Sequence, residues 1–305
     1  MTTTPELLYL LSGDPAEFSQ IVAGMRSADI AEALKDLAPV GAACVVAALP
    51  FDLAVQVLDD PELEHRVDIV QAMEVGAAGR LVDAMSPDQQ ADLFRELPDA
   101  EQRRILPALD QRSQQALAFL LRYPPETAGG IMTTEFLTVS PASTVDETLE
   151  LIRRVGGGKE TVYLIYVVDR DRRLQHVISL RELILSDRTT RVMELGSGRK
   201  LVSASPYTDR EEVARLISKY DLLAIPVVDK DQHILGIVTV DDVIDALVAE
   251  TTEDVQKFGG MEALDEPYME ISIARMLRKR AGWLAALNDH HSTSSRARIA
   301  RALRL

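Results

Sequence analysis

Tyr166-Val167-Val168-Asp169, followed by Val177-Ile178-Ser179-Leu180-Arg181-Glu182-Leu183, is written a second time as Pro226-Val227-Val228-Asp229, followed by Ile237-Val238-Thr239-Val240-Asp241-Asp242-Val243. Both blocks recur at an offset of 60 positions, so the register holds across two strands and a helix start. A unit repeated this closely predicts two small α/β modules related by pseudo-symmetry, with a cleft between them.

Working outward, the first copy reads as a strand at Thr138-Val139-Ser140 and a helix opened by Ser143-Thr144-Val145-Asp146-Glu147. Strands follow from Val162 to Val168 and from Leu174 to Ser179, then a closing helix from Leu180 to Leu185. The second copy repeats the order. Its helix starts at Thr208-Asp209 and runs to Lys219-Tyr220, strands run from Leu222 to Val228 and from Ile234 to Val238, and a helix begins at Asp241. Gly156-Gly157-Gly158 follows a helix and lacks the Gly-Lys-Ser/Thr ending of a phosphate loop, so it reads as a helix stop.

Ahead of the repeat, helical patterning runs to about residue 123. Leu49-Pro50, Met73-Glu74, Leu97-Pro98 and Leu121 recur every 24 positions, each closing an amphipathic run. Such a period predicts helical pairs piled into a superhelix, each burying its stripe on the next. Cys44 is the one cysteine; it reads as a small core residue and excludes an intrachain disulfide and paired-thiol zinc chemistry. Ser86-Pro87-Asp88 is a helix start, with Ser as N-cap and Pro at the first position. It places Asp88 and Asp92 one turn apart on one face.

A formal charge of −15 opposes nucleic-acid binding and favours cationic partners. The sequence contains no apolar run of roughly 18 residues and shows no secretory leader at its N-terminus, so the expectation is a cytoplasmic chain that does not conduct ions by itself. Asp241, Asp242, Asp245, Glu250, Glu253 and Asp254 crowd one predicted helix, and Glu250, Glu253 and Asp254 share a face. Opposed carboxylates repel by ~4 kcal/mol at 4 Å under a protein-surface dielectric. An oxygen-seeking divalent cation removes that cost, and magnesium does so while keeping most of its waters. His and Cys are too few to suggest zinc or copper. No nucleophile, base and oxyanion donor can be assembled, so an enzyme is not expected.

The repeat resembles a tandem of CBS domains. Its closing Ser/Thr-x-x-Asp motif is present as Thr239-Val240-Asp241-Asp242 and weakened in the first copy to Ser179-Leu180-Arg181-Glu182. The resemblance implies an adenine-nucleotide site, with Thr239 and Asp242 on a ribose and ATP as an auxiliary ligand. An adenine-nucleotide-binding CBS regulator is therefore the alternative function.

The wider order is more specific: the helical array, the hinge from Tyr123 to Thr133 (Tyr-Pro-Pro-Glu-Thr-Ala-Gly-Gly-Ile-Met-Thr), Lys219-Tyr220-Asp221-Leu222-Leu223, Thr251-Thr252-Glu253-Asp254 and Phe258-Gly259-Gly260. Over roughly residues 20 to 285 the chain resembles the cytosolic half of the MgtE-type magnesium channel/transporter. That resemblance implies a magnesium-sensing, gate-regulating module of an integral membrane family, homodimeric through its CBS domains. The implied fold is α+β and multidomain, with an arm (1–19), a helical superhelix (20–123), CBS domains at 124–188 and 189–255, a plug-like connecting helix (256–287) and a polar, basic tail (288–305). The connecting helix, with Arg275, Arg278, Lys279 and Arg280, would meet a channel subunit or the inner membrane surface.

The implied magnesium ligands are Asp88 and Asp92 on the helical domain, the Gly129 carbonyl, and Asp242 and Asp245 facing them. Glu211 and Asp221 would form a second cluster, and Glu250, Glu253 and Asp254 an acidic end facing the plug helix. A further helical-domain ligand lies among Gln56, Asp59 and Glu62.

Overall fold

The computed structural model describes residues 15–22, 24–61, 63, 65–195 and 201–244. Nine helices lead the described chain: α1 (Pro15–Val22), α2 (Ser27–Leu34), α3 (Pro39–Ala48), α4 (Phe51–Asp59), α5 (Arg66–Ala72), α6 (Val75–Ala84), α7 (Pro87–Glu96), α8 (Asp99–Ile105) and α9 (Gln111–Leu120). Helix α1 begins inside the stretch read as an arm. Helices two apart in sequence pack together, α3 on α5, α5 on α7 and α7 on α9, with α2, α4, α6 and α8 forming the opposite row. The 24-residue period is therefore one helix of each row. Leu49, Met73, Leu97 and Leu121 are the C-caps of α3, α5, α7 and α9, and the first three are buried.

Two local expectations change. Cys44 is exposed, because the inward face of α3 is taken by Ala42, Ala43, Val45 and Val46. Ser86 does sit at the N-cap of α7, with Pro87 after it, but its side chain makes no cap bond. Its amide instead donates to Asp59 at 3.1 Å, and its hydroxyl turns to the same carboxylate.

The repeat follows as β1 (Leu137–Val139), α10 (Val145–Val155), β2 (Leu164–Val168), β3 (Leu174–Ser179) and α11 (Leu180–Leu185), then α12 (Arg210–Tyr220), β4 (Ala224–Val228) and β5 (Ile234–Thr239). A further helix opens at Val240. In the first copy β1 pairs parallel with β2, and β2 antiparallel with β3. In the second, β4 pairs antiparallel with β5, and Ala204 bridges Val227 in the parallel sense, where β1 would lie. Both hairpins shift register at the same place, between Val167 and Val168 and between Val227 and Val228.

The hairpin turns also match. Asp169 accepts the amides of Asp171 and Arg173, and Asp229 those of Asp231 and His233, all at 2.9 Å. Arg172 (φ 63°) and Gln232 (φ 67°) take the left-handed conformation that closes each turn. The copies meet at these turns through an Arg173–His233 bridge and an apolar cluster that includes Phe136, Tyr166, Leu174, Ile234 and Ile237.

The helical array is joined to the second copy by one continuous buried core, which takes in Leu120, Met132, Val213, Ile225 and Val238. The first copy keeps a separate core around Val145, Ile165, Ile178 and Leu183. Tyr123 stands at the joint, edge-on to Phe119 of α9 and to Tyr207 ahead of α12, with ring centroids 5.5 and 5.7 Å away. The hinge that follows is tight. A Cβ on Gly130 would stand 2.1 Å from the Pro124 carbonyl oxygen, which only glycine avoids.

Candidate metal centre

Helix α7 carries Asp88 and Asp92 to the side of the helical array that meets the repeat. Asp88 is only 6% exposed, and its Oδ1 has no hydrogen-bond partner. A buried acceptor in that state costs about 1–3 kcal/mol. Its carboxyl is held above the usual carboxylate range by burial, and further by Glu160, Asp59 and Asp92.

Asp242 comes to the same place from the second copy. Thr239 ends β5, and its amide and hydroxyl donate to Asp242 Oδ2 at 3.2 and 2.5 Å, as in a helix capping box. Burial raises the Asp242 carboxyl, and the charge acting most strongly on it is Asp88. The helical array and the second copy thus face each other through two carboxylates that repel.

Glu160 is a third wall, supplied by the first copy. Its amide donates to the Glu135 carbonyl at 2.9 Å, which holds the loop after the glycine run against the segment leading into β1. The residue reaches solvent. Its carboxyl is pushed up to about 7, by the protein packed around it first and then by Asp242, Asp241 and Asp59. Sequence reading missed Glu160, since a lone Glu after a glycine run carries no spacing signal.

Asp59 is the member of the trio Gln56, Asp59 and Glu62 that meets this group. Gln56 is exposed, and Glu62 lies outside the described residues. Asp59 caps the start of α7 and is raised to about 6, chiefly by burial against the lowering pull of Ser86 and Arg66.

Asp92 has a different setting. Arg95 Nη1 lies 2.5 Å from Asp92 Oδ1 and also donates to the Gly130 carbonyl at 3.1 Å, while its Nη2 reaches the Tyr123 carbonyl at 3.5 Å. Burial raises the Asp92 carboxyl, opposed first by Arg95. Gly129, adjacent, donates its amide to the Pro206 carbonyl. The hinge carbonyls that meet α7 are those of Gly130 and Tyr123, both through Arg95.

The remaining expected ligands are dispersed or undescribed. Glu211 stands at the start of α12, paired with Arg215 at 3.0 Å. Asp221 caps the other end in a left-handed conformation (φ 50°). Helical rise separates them by roughly 15 Å, so within one chain the structure does not bring them together as a cluster. Asp245, Glu250, Glu253 and Asp254 lie outside the described residues, as do the plug-like helix and the tail.

Among the described residues, one group of three ligand atoms lies mutually within 4.8 Å: Asp229, Asp231 and His233. These residues form the second hairpin turn, and the Asp169 turn repeats that geometry with Arg173 in place of the histidine. The trio is thus explained by the backbone it closes. Asp88, Asp242 and Glu160 do not form such a close group; magnesium, which keeps most of its waters, needs only one or two carboxylates from a protein.

Comparison with known proteins agrees with this architecture. Residues 25–126 match the MgtE intracellular N domain, and residues 128–187 and 192–249 match the CBS domain. The chain is 37% identical over 256 residues to the magnesium transporter MgtE of Thermus thermophilus, covering 75% of this chain and 57% of that protein. It is 29% identical over 252 residues to the MgtE of Bacillus subtilis, covering 83% and 56%. The chain therefore spans a little over half the length of these curated relatives.

Two solved structures superpose with TM-scores of 0.73. One is the soluble part of a magnesium transporter, 30% identical and covering 81% of this chain and 99% of that one. The other is the cytosolic domain of the Mg2+ channel MgtE in complex with ATP, 35% identical and covering 78% and 97%. Among the described residues no helix is long and apolar enough to cross a membrane.

Proposed function

Because this chain belongs to the MgtE magnesium-transporter family, in the part built from the intracellular N domain and the tandem CBS domains, we propose that it senses magnesium on the cytosolic side and regulates a membrane pore. CBS domains are regulatory modules, and the chain is not an enzyme. The observation that carries the reading is the pairing of Asp88 with Asp242 across the joint between the helical array and the second CBS copy. Asp88 is buried with one oxygen unpartnered, and its charge is the one that acts most strongly on the half-buried Asp242 carboxyl.

Without a cation the ionised pair drives the two faces apart. A hydrated magnesium ion, held by Asp88 and Asp242 with Glu160 at the rim, neutralises them and draws the helical array onto the CBS pair. The difference in shape is the signal passed to the membrane part of the transporter. The acidic run at Asp245, Glu250, Glu253 and Asp254 would extend the same chemistry towards the connecting helix, and a homodimer through the CBS domains would double it. Small-angle scattering of the chain in EDTA and in millimolar magnesium tests the reading. The radius of gyration is expected to fall with magnesium, and an unchanged value contradicts it.

One observation favours adenine-nucleotide binding as a second reading: a structural relative at 35% identity was solved with ATP. Thr239 and Asp242 are the residues this chain offers a ribose. Asp242 would then serve both ligands, and a phosphate chain near these carboxylates requires magnesium or basic groups to screen it. Titration calorimetry with ATP in excess EDTA separates the two, since tight metal-free binding would favour the nucleotide.

A further inference from the structure

Four residues after Asp88, the same helix solves the same electrostatic problem in a different way. The Arg95 side chain is only 17% exposed. Its guanidinium is ringed by oxygens from three places: the Asp92 carboxylate on its own helix, and the carbonyls of Gly130 and Tyr123 in the hinge. A carboxylate with backbone carbonyls is the donor set a hard divalent cation uses. Here a planar guanidinium fills it, and its forked donors suit several oxygens at once. The chain also neutralises its own carboxylates nearby. Glu135, just beyond the hinge, is paired with Lys159 and with Arg112 of α9.

We propose that Arg95 is a resident cation: it occupies the place beside Asp92 where a second divalent ion would bridge α7 to the hinge, so that this junction stays closed without metal and Asp92 takes no part in magnesium binding. The inference rests on the proposed magnesium reading and narrows it. Dissociable ions act at Asp88 and Asp242, while the Asp92–hinge contact is a permanent strap. A chain with such a strap opens about its hinge as one body in low magnesium, and the helical array does not come away from the Tyr123–Gly130 segment.

Magnesium bound to the full chain, counted by equilibrium dialysis with elemental analysis at millimolar free magnesium, tests this. Arg95→Met vacates the oxygen set and is expected to bind one more ion per chain than the wild type. Arg95→Lys restores the charge and is expected to return the count to the wild-type value. Asp92→Asn is expected to leave the count unchanged. An unchanged count in Arg95→Met, or one ion lost in Asp92→Asn, overturns the proposal while leaving the Asp88–Asp242 reading standing. Should Arg95→Met not fold, Asp92→Asn decides alone. Wild-type protein that binds no magnesium overturns both.

Discussion

Asp88 and Asp92 sit one turn apart on α7, and the molecule treats them oppositely. Asp92 is 41% exposed at its side chain and has an arginine 2.5 Å away. Asp88 is buried, lacks a partner for one oxygen, and looks towards Asp242 and Glu160. Residue type and helix are the same for both. What differs is the neighbours: Arg95 three residues on along α7 and the hinge carbonyls it reaches for Asp92, and further carboxylates from other elements for Asp88. On the proposed reading Asp88 answers to magnesium because tertiary structure buries it among like charges and leaves the neutralising ion to come from solution.

The largest expected effect comes from removing the frame that holds both acids. Gly130→Ala drives a Cβ into the Pro124 carbonyl and is expected to cost about 3 kcal/mol; chemical denaturation measures this, and an unchanged midpoint would show that the hinge is looser than described. Asp88→Asn comes next. It removes a buried charge, so in EDTA the variant is expected to melt about 3–6 °C higher than the wild type, from relief of about 1–2 kcal/mol of repulsion. It should also lose the stabilisation that magnesium gives the wild type. A variant that melts lower in EDTA would mean the Asp88 carboxylate has a partner at neutral pH.

The pH dependence sharpens the same contrast. The carboxyls of Asp88, Asp242, Asp59 and Glu160 are all raised in the folded chain, the last two to about 6 and about 7. A raised carboxyl favours folding below its unfolded value near ~4, and that contribution is lost as pH climbs through the folded value. The metal-free chain should therefore lose stability between about pH 4 and about pH 8, the upper end set by Asp242. Magnesium should flatten the slope, because it holds the ionised form. Melting curves over this range check the sign, and a rise in stability with pH in EDTA would contradict it. The smallest effect is that of Asp92→Asn, which removes the part-exposed acid of an ion pair whose arginine keeps its two hinge carbonyls, and is expected to cost about 1 kcal/mol or less, with the magnesium response intact.

Much of the fold is legible in the sequence because it repeats. The 60-residue offset carries the strands, the turns and even the register shift from one copy to the other, and the 24-residue period marks the C-caps of one row of helices. Cys44 was less legible: in an α3 rich in small apolar residues, pattern alone does not show which face turns inward. Asp88 and Asp242 were found by resemblance and by their motifs, whereas Glu160 and Arg95 were not. The i+3 spacing of Asp92 and Arg95 does encode their pairing, but the reach of Arg95 to the hinge carbonyls and the placement of Glu160 depend on which loop the fold lays against which helix. Thr239 and Asp242 teach the complementary lesson. The motif read as a ribose grip is also a helix cap, and so is its weaker counterpart, where Ser179 and Glu182 exchange the bonds of a capping box.

The account stands on Asp88 and Asp242 sharing one ion, and a double-mutant cycle on magnesium affinity tests that most directly. Asp88→Asn, Asp242→Asn and the double variant are predicted to lose the same high-affinity component, with the second substitution adding almost nothing to the first. Independent losses that simply add would show that the two carboxylates hold separate ions and that no bridge exists between the helical array and the CBS pair.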